Sequence, residues 1–174
     1  MLMGMLSAGG VELMVDGVRT ADEDNPKGYH ELEQVKALDK PGDKTWLGAA
    51  QGKALKIISF LLPHLPDTYD YKIIFMRRSL PEVLSSQQKM LERRGESSGD
   101  VSDDEMARMF AAHLAKTESL LASRKNCDLL YVDHRDTVNK PSAVAEAINE
   151  FLGGHLDIQA MTSVVDPQLY RNRE

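Results

Sequence analysis

The chain has 174 residues, which is long enough for one domain with a substantial core and too short for two comfortable ones. Its 42% hydrophobic and 28% charged residues exclude a disordered or fibrous chain. The net charge of -6 excludes a general attraction to nucleic acid or to an anionic membrane, because such binding requires Lys and Arg to neutralise phosphates. We therefore predict a single domain over residues 1–174.

The single cysteine, Cys127, excludes an internal disulfide framework and fits a reducing compartment, so we expect a cytoplasmic protein. Its position at the start of an apolar run favours a buried, inert thiol over a nucleophile. The five histidines have no ligand spacing and no cysteine partners, so no metal site is predicted. The apolar residues 1–6 are far fewer than the ~20 of a membrane span, so no membrane partner is expected.

In chain order, the first predicted element is a helix over residues 1–8, whose apolar side chains cover every side and indicate a fully buried element. Continuous apolar runs then predict buried strands at residues 54–59, 71–76 and 128–132, with residues 11–15 as a fourth candidate. Amphipathic helices are predicted over residues 81–94 and 103–123. A last helix begins at Pro141 and ends at Gly153.

The helix boundaries carry their own signals, since Ser102 and Glu105 form a capping box before the helix over residues 103–123. Strands and helices alternate along the chain, which implies right-handed crossovers between parallel strands. The predicted fold class is therefore α/β, with a parallel sheet flanked by helices.

Parallel sheets bind ligands beyond the carboxyl ends of their strands, so the residues that follow each strand are the candidates for chemistry. Arg77 and Arg78 follow the strand over residues 71–76, and the next helix carries Ser85 and Ser86. An arginine at a strand end and a hydroxyl on the following helix can converge on one phosphate. Taken alone, this spacing is equally compatible with a surface arginine and a solvated serine.

Titratable groups also concentrate around the turn at residues 21–33, where His30 and Glu31 are our candidates for a general base. Asp16 and Arg19 form the next pair to test. Turn chemistry alone explains residues 25–28 without any function. The segment over residues 48–53 approaches a phosphate-loop pattern, but it precedes a strand and lacks the following Ser or Thr, so we reject it.

Several segments together resemble the bacterial sulfotransferase-like family, which has a P-loop NTPase-type fold. The segments are residues 24–33, 73–89, 129–153 and 165–171. The resemblance implies that Arg78 and Ser86, eight positions apart, bind the 3′-phosphate of 3′-phosphoadenosine 5′-phosphosulfate (PAPS), the sulfuryl donor. Arg171 and Arg173 correspond more loosely to basic residues that the family uses against the same phosphate.

Members of this family transfer the sulfuryl group to an acceptor hydroxyl or amine, with a His or Glu as base and no metal. The family's first strand ends in a loop of the type Arg-Ser-Gly-Thr-Ser, which grips the 5′-phosphosulfate and leads into a helix. Here residues 1–8 correspond to that helix, and the strand and loop are absent from the sequence. We therefore expect a fold that is truncated at its N-terminus. Three explanations are open: the start was assigned too late, the chain was shortened by a deletion, or the chain is a folded remnant that pairs with another chain.

Three functions follow as hypotheses. The first is a sulfotransferase-like protein that binds PAPS and an unknown small-molecule acceptor, inactive in the form of these 174 residues. The second is a non-catalytic interaction protein that keeps the fold and forms a homo-oligomer through an exposed apolar seam. The third is a P-loop kinase-like phosphotransferase. The sequence does not identify the acceptor, because acceptor pockets are built from variable loops.

Overall fold

The computed structural model describes residues 1–22, 25, 27–95 and 102–167. Within these residues the fold is α/β. The helices are α1 (Leu2–Ala8), α2 (Leu80–Arg94), α3 (Asp103–Ser123), α4 (His134–Asn139), α5 (Pro141–Leu152) and α6 (Ile158–Ser163). The strands are β1 (Tyr71–Arg77) and β2 (Cys127–Asp133), and short 3₁₀ helices occupy Glu33–Ala37, Thr45–Ala50 and Ser59–His64.

Strands β1 and β2 form a parallel pair, in register from Tyr71 opposite Cys127 to Arg77 opposite Asp133. The helices α2 and α3 form the crossover between them, as parallel strands require. The predicted strands at residues 71–76 and 128–132 are thus confirmed, and each is longer than predicted by one or two residues. The parallel sheet flanked by helices is confirmed at this level.

Two hydrophobic clusters lie on the two faces of the sheet, because successive side chains of a strand point to opposite faces. The first core cluster packs with Ile73 and Leu129 and contains Val35, Leu38, Leu47, Leu62, Leu65, Phe75 and Leu121. The second core cluster packs with Ile74 and Leu130 and contains Met5, Leu6, Val132, Ala145, Ile148 and Met161. The 3₁₀ helices and α3 cover the first face, and α1, α5 and α6 cover the second.

The predicted helix ends agree with the structure. Ser102 caps α3, and its side chain accepts a hydrogen bond from the backbone N–H of Glu105. Pro141 occupies the first position of α5, where its missing N–H has no cost. Gly153 ends α5 in the left-handed conformation, with φ of 114°.

The prediction of strands at residues 54–59 and 11–15 was wrong. They meet only in an isolated parallel bridge between Leu13 and Ala54, and the chain enters a 3₁₀ helix at Ser59. The apolar run predicted burial correctly, since Leu55 and Ile57 pack against the first core cluster. Burial does not require a ladder, however, and a strand exists only where a neighbouring strand pairs with it.

Helix α1 is less enclosed than its composition predicted. Met5 and Leu6 are buried in the second core cluster, whereas Leu2 and Met3 are half-buried and Ser7 is exposed. The helix packs against α6, and the backbone N–H of Asp157 at the start of α6 donates to the carbonyl of Gly9. Among the described helices, none has the length and apolar character needed to cross a membrane.

Candidate anion site at the carboxyl edge of the sheet

The carboxyl ends of β1 and β2 meet at one edge of the sheet, where Arg77 lies opposite Asp133. The residue that directly follows each of these strands therefore lies at the same edge. These residues are Arg78, which precedes α2, and His134, which begins α4. This edge is the position at which parallel sheets bind ligands.

Arg78 is oriented by a carboxylate that sequence reasoning missed. Its Nε donates to Oε2 of Glu82 over 2.8 Å, and Glu82 is only 6% exposed. The Oγ of Ser79 lies 3.4 Å from the backbone nitrogen of Glu82, whose N–H it accepts. The contact with Glu82 uses Nε, one of five donors on a guanidinium. In the sequence, the four-residue spacing between Arg78 and Glu82 could have predicted this contact.

Ser86 lies one helical turn beyond Glu82 on α2, about 6 Å further along the helix axis. Residues four apart share a face of a helix, so Glu82 and Ser86 lie on one face of α2. Ser86 is half-buried. Arg78, which precedes α2, meets this face through its hydrogen bond to Glu82.

His134 is the second residue that sequence reasoning missed, although a histidine directly after a buried strand was a usable signal. Its side chain is half-buried beside Arg78. Burial lowers the pKa of His134, and the positive charge of Arg78 lowers it further. A histidine in this state is neutral at pH 7 and is able to accept a proton.

Glu31 is held by two cations. Its Oε1 accepts from Nζ of Lys56 over 3.0 Å, and its Oε2 lies 3.4 Å from the guanidinium of Arg19. Burial raises the pKa of Glu31, but the hydrogen bond from Lys56 and the charges of Lys56 and Arg19 outweigh it, so the pKa is lowered. The carboxylate is therefore an ion-pairing group and a weak base.

His30 is the better placed of the two predicted bases. Burial lowers its pKa, as do the charges of the Met1 amino group and Lys56, so the ring is neutral at pH 7. Its backbone adopts φ of 49°, a left-handed conformation that is rare outside glycine. The Met1 amino group also lowers the pKa of His134.

The segment that carries His30 is fastened to the body of the protein at several points. The guanidinium carbon of Arg19 lies 3.3 Å from the centre of the Tyr29 ring, and the Tyr29 hydroxyl donates to the carboxylate of Asp22 over 2.8 Å. Nζ of Lys27 donates to the carbonyl of Val164 over 3.0 Å. These contacts anchor the residues that precede His30.

Asp16 has a structural role. Its carboxylate accepts from the backbone N–H groups of Val18 and Glu33, and these bonds lower its pKa. Arg19, the other residue of the second pair of candidates, pairs with Glu31 and stacks on Tyr29. Arg171 and Arg173 lie outside the described residues. No cluster of three or more His, Cys, Asp or Glu side chains suited to a metal occurs among the described residues.

No family model, no curated protein and no solved structure matches this chain. The functional assignment therefore depends on the motifs of the sequence and on the geometry of this edge. At this edge the structure places Arg78, which is oriented by Glu82, and His134, and Ser86 lies on the same face of α2 as Glu82.

Proposed function

We propose that the chain is a sulfotransferase-like domain whose carboxyl edge binds the 3′-phosphate of PAPS. Arg78 and Ser86 are the proposed phosphate ligands, the arginine through charge-assisted hydrogen bonds and the serine through its hydroxyl. The observation that carries the proposal is the hydrogen bond from Arg78, the residue directly after β1, to Glu82, which shares a face of α2 with Ser86. The motif resemblance supplies the identity of the nucleotide.

In the proposed reaction, an acceptor hydroxyl or amine attacks the sulfur of PAPS. A bond forms from the acceptor oxygen or nitrogen to sulfur, and the bond from sulfur to the 5′-phosphate oxygen breaks. Adenosine 3′,5′-bisphosphate leaves with the electron pair, and the acceptor proton passes to a base. Positioning and charge stabilisation supply most of the rate enhancement, as in phosphoryl transfer.

The proposed base is His30 or His134, because a neutral imidazole is better suited to accept a proton at pH 7 than the doubly paired carboxylate of Glu31. The sequence contains no Arg-Ser-Gly-Thr-Ser type loop for the 5′-phosphosulfate. We therefore expect these 174 residues to bind the 3′-phosphate half of the nucleotide without sulfuryl transfer.

The test is the affinity for adenosine 3′,5′-bisphosphate by isothermal titration calorimetry, with adenosine 5′-monophosphate as the ligand that lacks the 3′-phosphate. We expect Arg78→Ala to weaken binding of the bisphosphate by about 10-fold to 100-fold, which corresponds to the loss of a charged hydrogen bond. The monophosphate should bind weakly to both proteins.

Arg77→Ala is the matched control, because Arg77 is paired with Glu118 on α3 over 2.7 Å and stacks on Tyr131 at 3.8 Å. Its removal should leave the affinity unchanged. Equal binding of the two nucleotides, or full affinity in Arg78→Ala, would overturn the site assignment. A preference for ATP would instead favour the kinase-like phosphotransferase.

A further inference from the structure

His134 lies beside Arg78 because of the register of the sheet. The parallel pair ends with Arg77 opposite Asp133, and neighbouring strands lie about 4.8 Å apart. Arg78 and His134 are the residues that directly follow. Asp133 is still extended, with φ of -83° and ψ of 132°, so the chain keeps its strand direction up to His134. The two side chains therefore start from adjacent positions at the carboxyl edge.

Both side chains start on the face of the second core cluster. Successive residues of a strand point to opposite faces, so His134 returns to the face of Val132, two residues before it. Val132 is buried in the second core cluster, and Met76, two residues before Arg78, packs against the same cluster. Arg78 and His134 are both half-buried, so neither is closed off from solvent. A group bound to Arg78 on this face therefore lies within reach of His134.

Charged groups of both signs face His134. They are Arg78 before α2, Glu82 within α2, the Met1 amino group before α1, and the adjacent Asp133. Two of these groups are positive and two are negative, so their effects on the imidazole largely cancel. Burial then favours the neutral ring and is the largest cause of its lowered pKa. In the free protein, His134 is therefore a neutral group within a balanced set of charges.

A phosphate bound to Arg78 changes this balance of charge. A phosphate monoester carries about 1.5 to 2 negative charges at pH 7, because its second pKa is about 6. An opposite charge within about 4–6 Å of an ionisable group favours the charged form of that group. The bound phosphate therefore favours the imidazolium form of His134, in which both ring nitrogens are hydrogen-bond donors.

We propose that His134 is a further ligand of the 3′-phosphate, and that it takes up a proton from the solvent when the nucleotide binds. This inference rests on the proposed function, since it concerns the same phosphate. The imidazolium donates a charge-assisted hydrogen bond to a phosphate oxygen. Nucleotide binding and protonation favour each other, so the affinity rises as the pH falls. A protonated His134 does not accept the proton of the acceptor, which leaves His30 as the base of the proposed reaction.

The test measures the affinity of the 174-residue chain for adenosine 3′,5′-bisphosphate by isothermal titration calorimetry at pH 8.0 and pH 6.5. We expect the wild type to bind about 3-fold to 10-fold more tightly at pH 6.5, because one linked proton changes a binding constant by at most about tenfold per pH unit. His134→Gln should bind like the wild type at pH 8.0 and lose most of the gain at pH 6.5, whereas a merely structural role would weaken binding equally at both. His64→Gln is the matched control and should keep the full gain, because His64 is exposed and precedes the amino end of β1.

The NMR signals of the His134 ring report its protonation directly. In the free protein the ring should titrate below ~6.5, and saturating bisphosphate should raise the midpoint by at least about one pH unit. Adenosine 5′-monophosphate should leave the midpoint unchanged, and an equal rise with this ligand would overturn the assignment to the 3′-phosphate. Binding that is lost in Arg78→Ala but keeps its pH dependence in His134→Gln, or a midpoint that does not move, would overturn this inference alone. No binding by the wild type at either pH would overturn the proposed function as well.

Discussion

Arg78 and Glu82 set the local electrostatics at the carboxyl edge of the sheet. Glu82 is 6% exposed, and the Nε of Arg78 donates to it over 2.8 Å. A buried carboxylate is costly to keep charged unless donors compensate for the lost water. The arginine is consequently both a proposed phosphate ligand and part of the packing of α2, so its removal affects binding and stability together.

A double-mutant cycle separates these two effects. Arg78→Ala should lower the free energy of unfolding by about 1–3 kcal/mol, because it removes a charged donor to a buried acceptor. Arg78→Ala combined with Glu82→Gln should be less destabilised than the sum of the single variants, because the neutral amide needs no cation. Urea unfolding of the four proteins measures the coupling, and strictly additive values would contradict an energetic link between the two residues.

The same comparison keeps the nucleotide test interpretable if Arg78→Ala proves too unstable for calorimetry. The double variant retains the fold without the arginine, so its affinity for adenosine 3′,5′-bisphosphate reports the loss of the phosphate ligand alone. Arg78→Lys is the complementary variant, since it keeps the positive charge but loses the planar donor geometry of the guanidinium.

The two histidines predict a pH dependence of stability. His134 faces Arg78, Glu82, Asp133 and the Met1 amino group, and burial is the largest cause of its lowered pKa. In the unfolded chain a histidine protonates near pH ~6.5. Because the folded pKa is lower, the unfolded state binds more protons as the pH falls below that value. Stability is therefore complete above about pH 7 and decreases as the pH falls towards the folded pKa.

We expect the free energy of unfolding to be lower at pH 5.5 than at pH 7.5, with a slope of at most about 1.4 kcal/mol per pH unit for each histidine. His134→Gln should reduce the slope, and the further change His30→Gln should reduce it again. Glu31 and Asp16 have lowered pKa values and lose their contributions only below about pH 4.5. Burial also lowers the pKa of the Met1 amino group, which contributes in this window in the same direction, so the change of slope in the histidine variants measures the histidines' share. An unchanged slope in His134→Gln would contradict the argument.

At the scale of elements, local signals predicted the helices better than the strands. Ser102, Pro141 and Gly153 mark helix ends through bonds within a few residues, and α3 and α5 begin and end at the predicted positions. The prediction of a strand at residues 54–59 was wrong because strand pairing depends on residues far away in the sequence. The composition of the segment itself does not encode those partners. Glu82 and His134 were missed for a related reason, since their importance depends on their position beside Arg78.

The end of α5 gives a prediction at this scale. Gly153 has φ of 114°, and a Cβ there would lie 3.4 Å from the His155 ring, so Gly153→Ala should destabilise by about 1–2 kcal/mol. Gly4 is the matched control, because it lies within α1 and a Cβ there meets nothing within 4 Å. Gly4→Ala should stabilise by roughly 0.5–1 kcal/mol. Thermal unfolding distinguishes the opposite signs, and equal shifts would contradict the assigned backbone conformation.

At the scale of the whole molecule, two hydrophobic clusters share a thin sheet. The first core cluster is built largely from the 3₁₀ helices and α3, and the second from α1, α5 and α6. The strands lie between the clusters, since β1 contributes the buried Phe75 to the first cluster and β2 contributes the buried Val132 to the second. Whether the chain unfolds as one unit therefore depends on the coupling through these two strands.

Trp46, the single tryptophan, packs against the first core cluster and reports its unfolding. Ile148→Ala removes a fully buried side chain of the second core cluster and should cost about 2–5 kcal/mol. If the sheet couples the clusters, the Trp46 fluorescence midpoint in urea should fall together with the helical circular dichroism midpoint. Leu38→Ala in the first core cluster should shift both signals in the same way. A Trp46 midpoint that stays at the wild-type value in Ile148→Ala would show two independently unfolding units, because fluorescence would then report only the cluster that contains it.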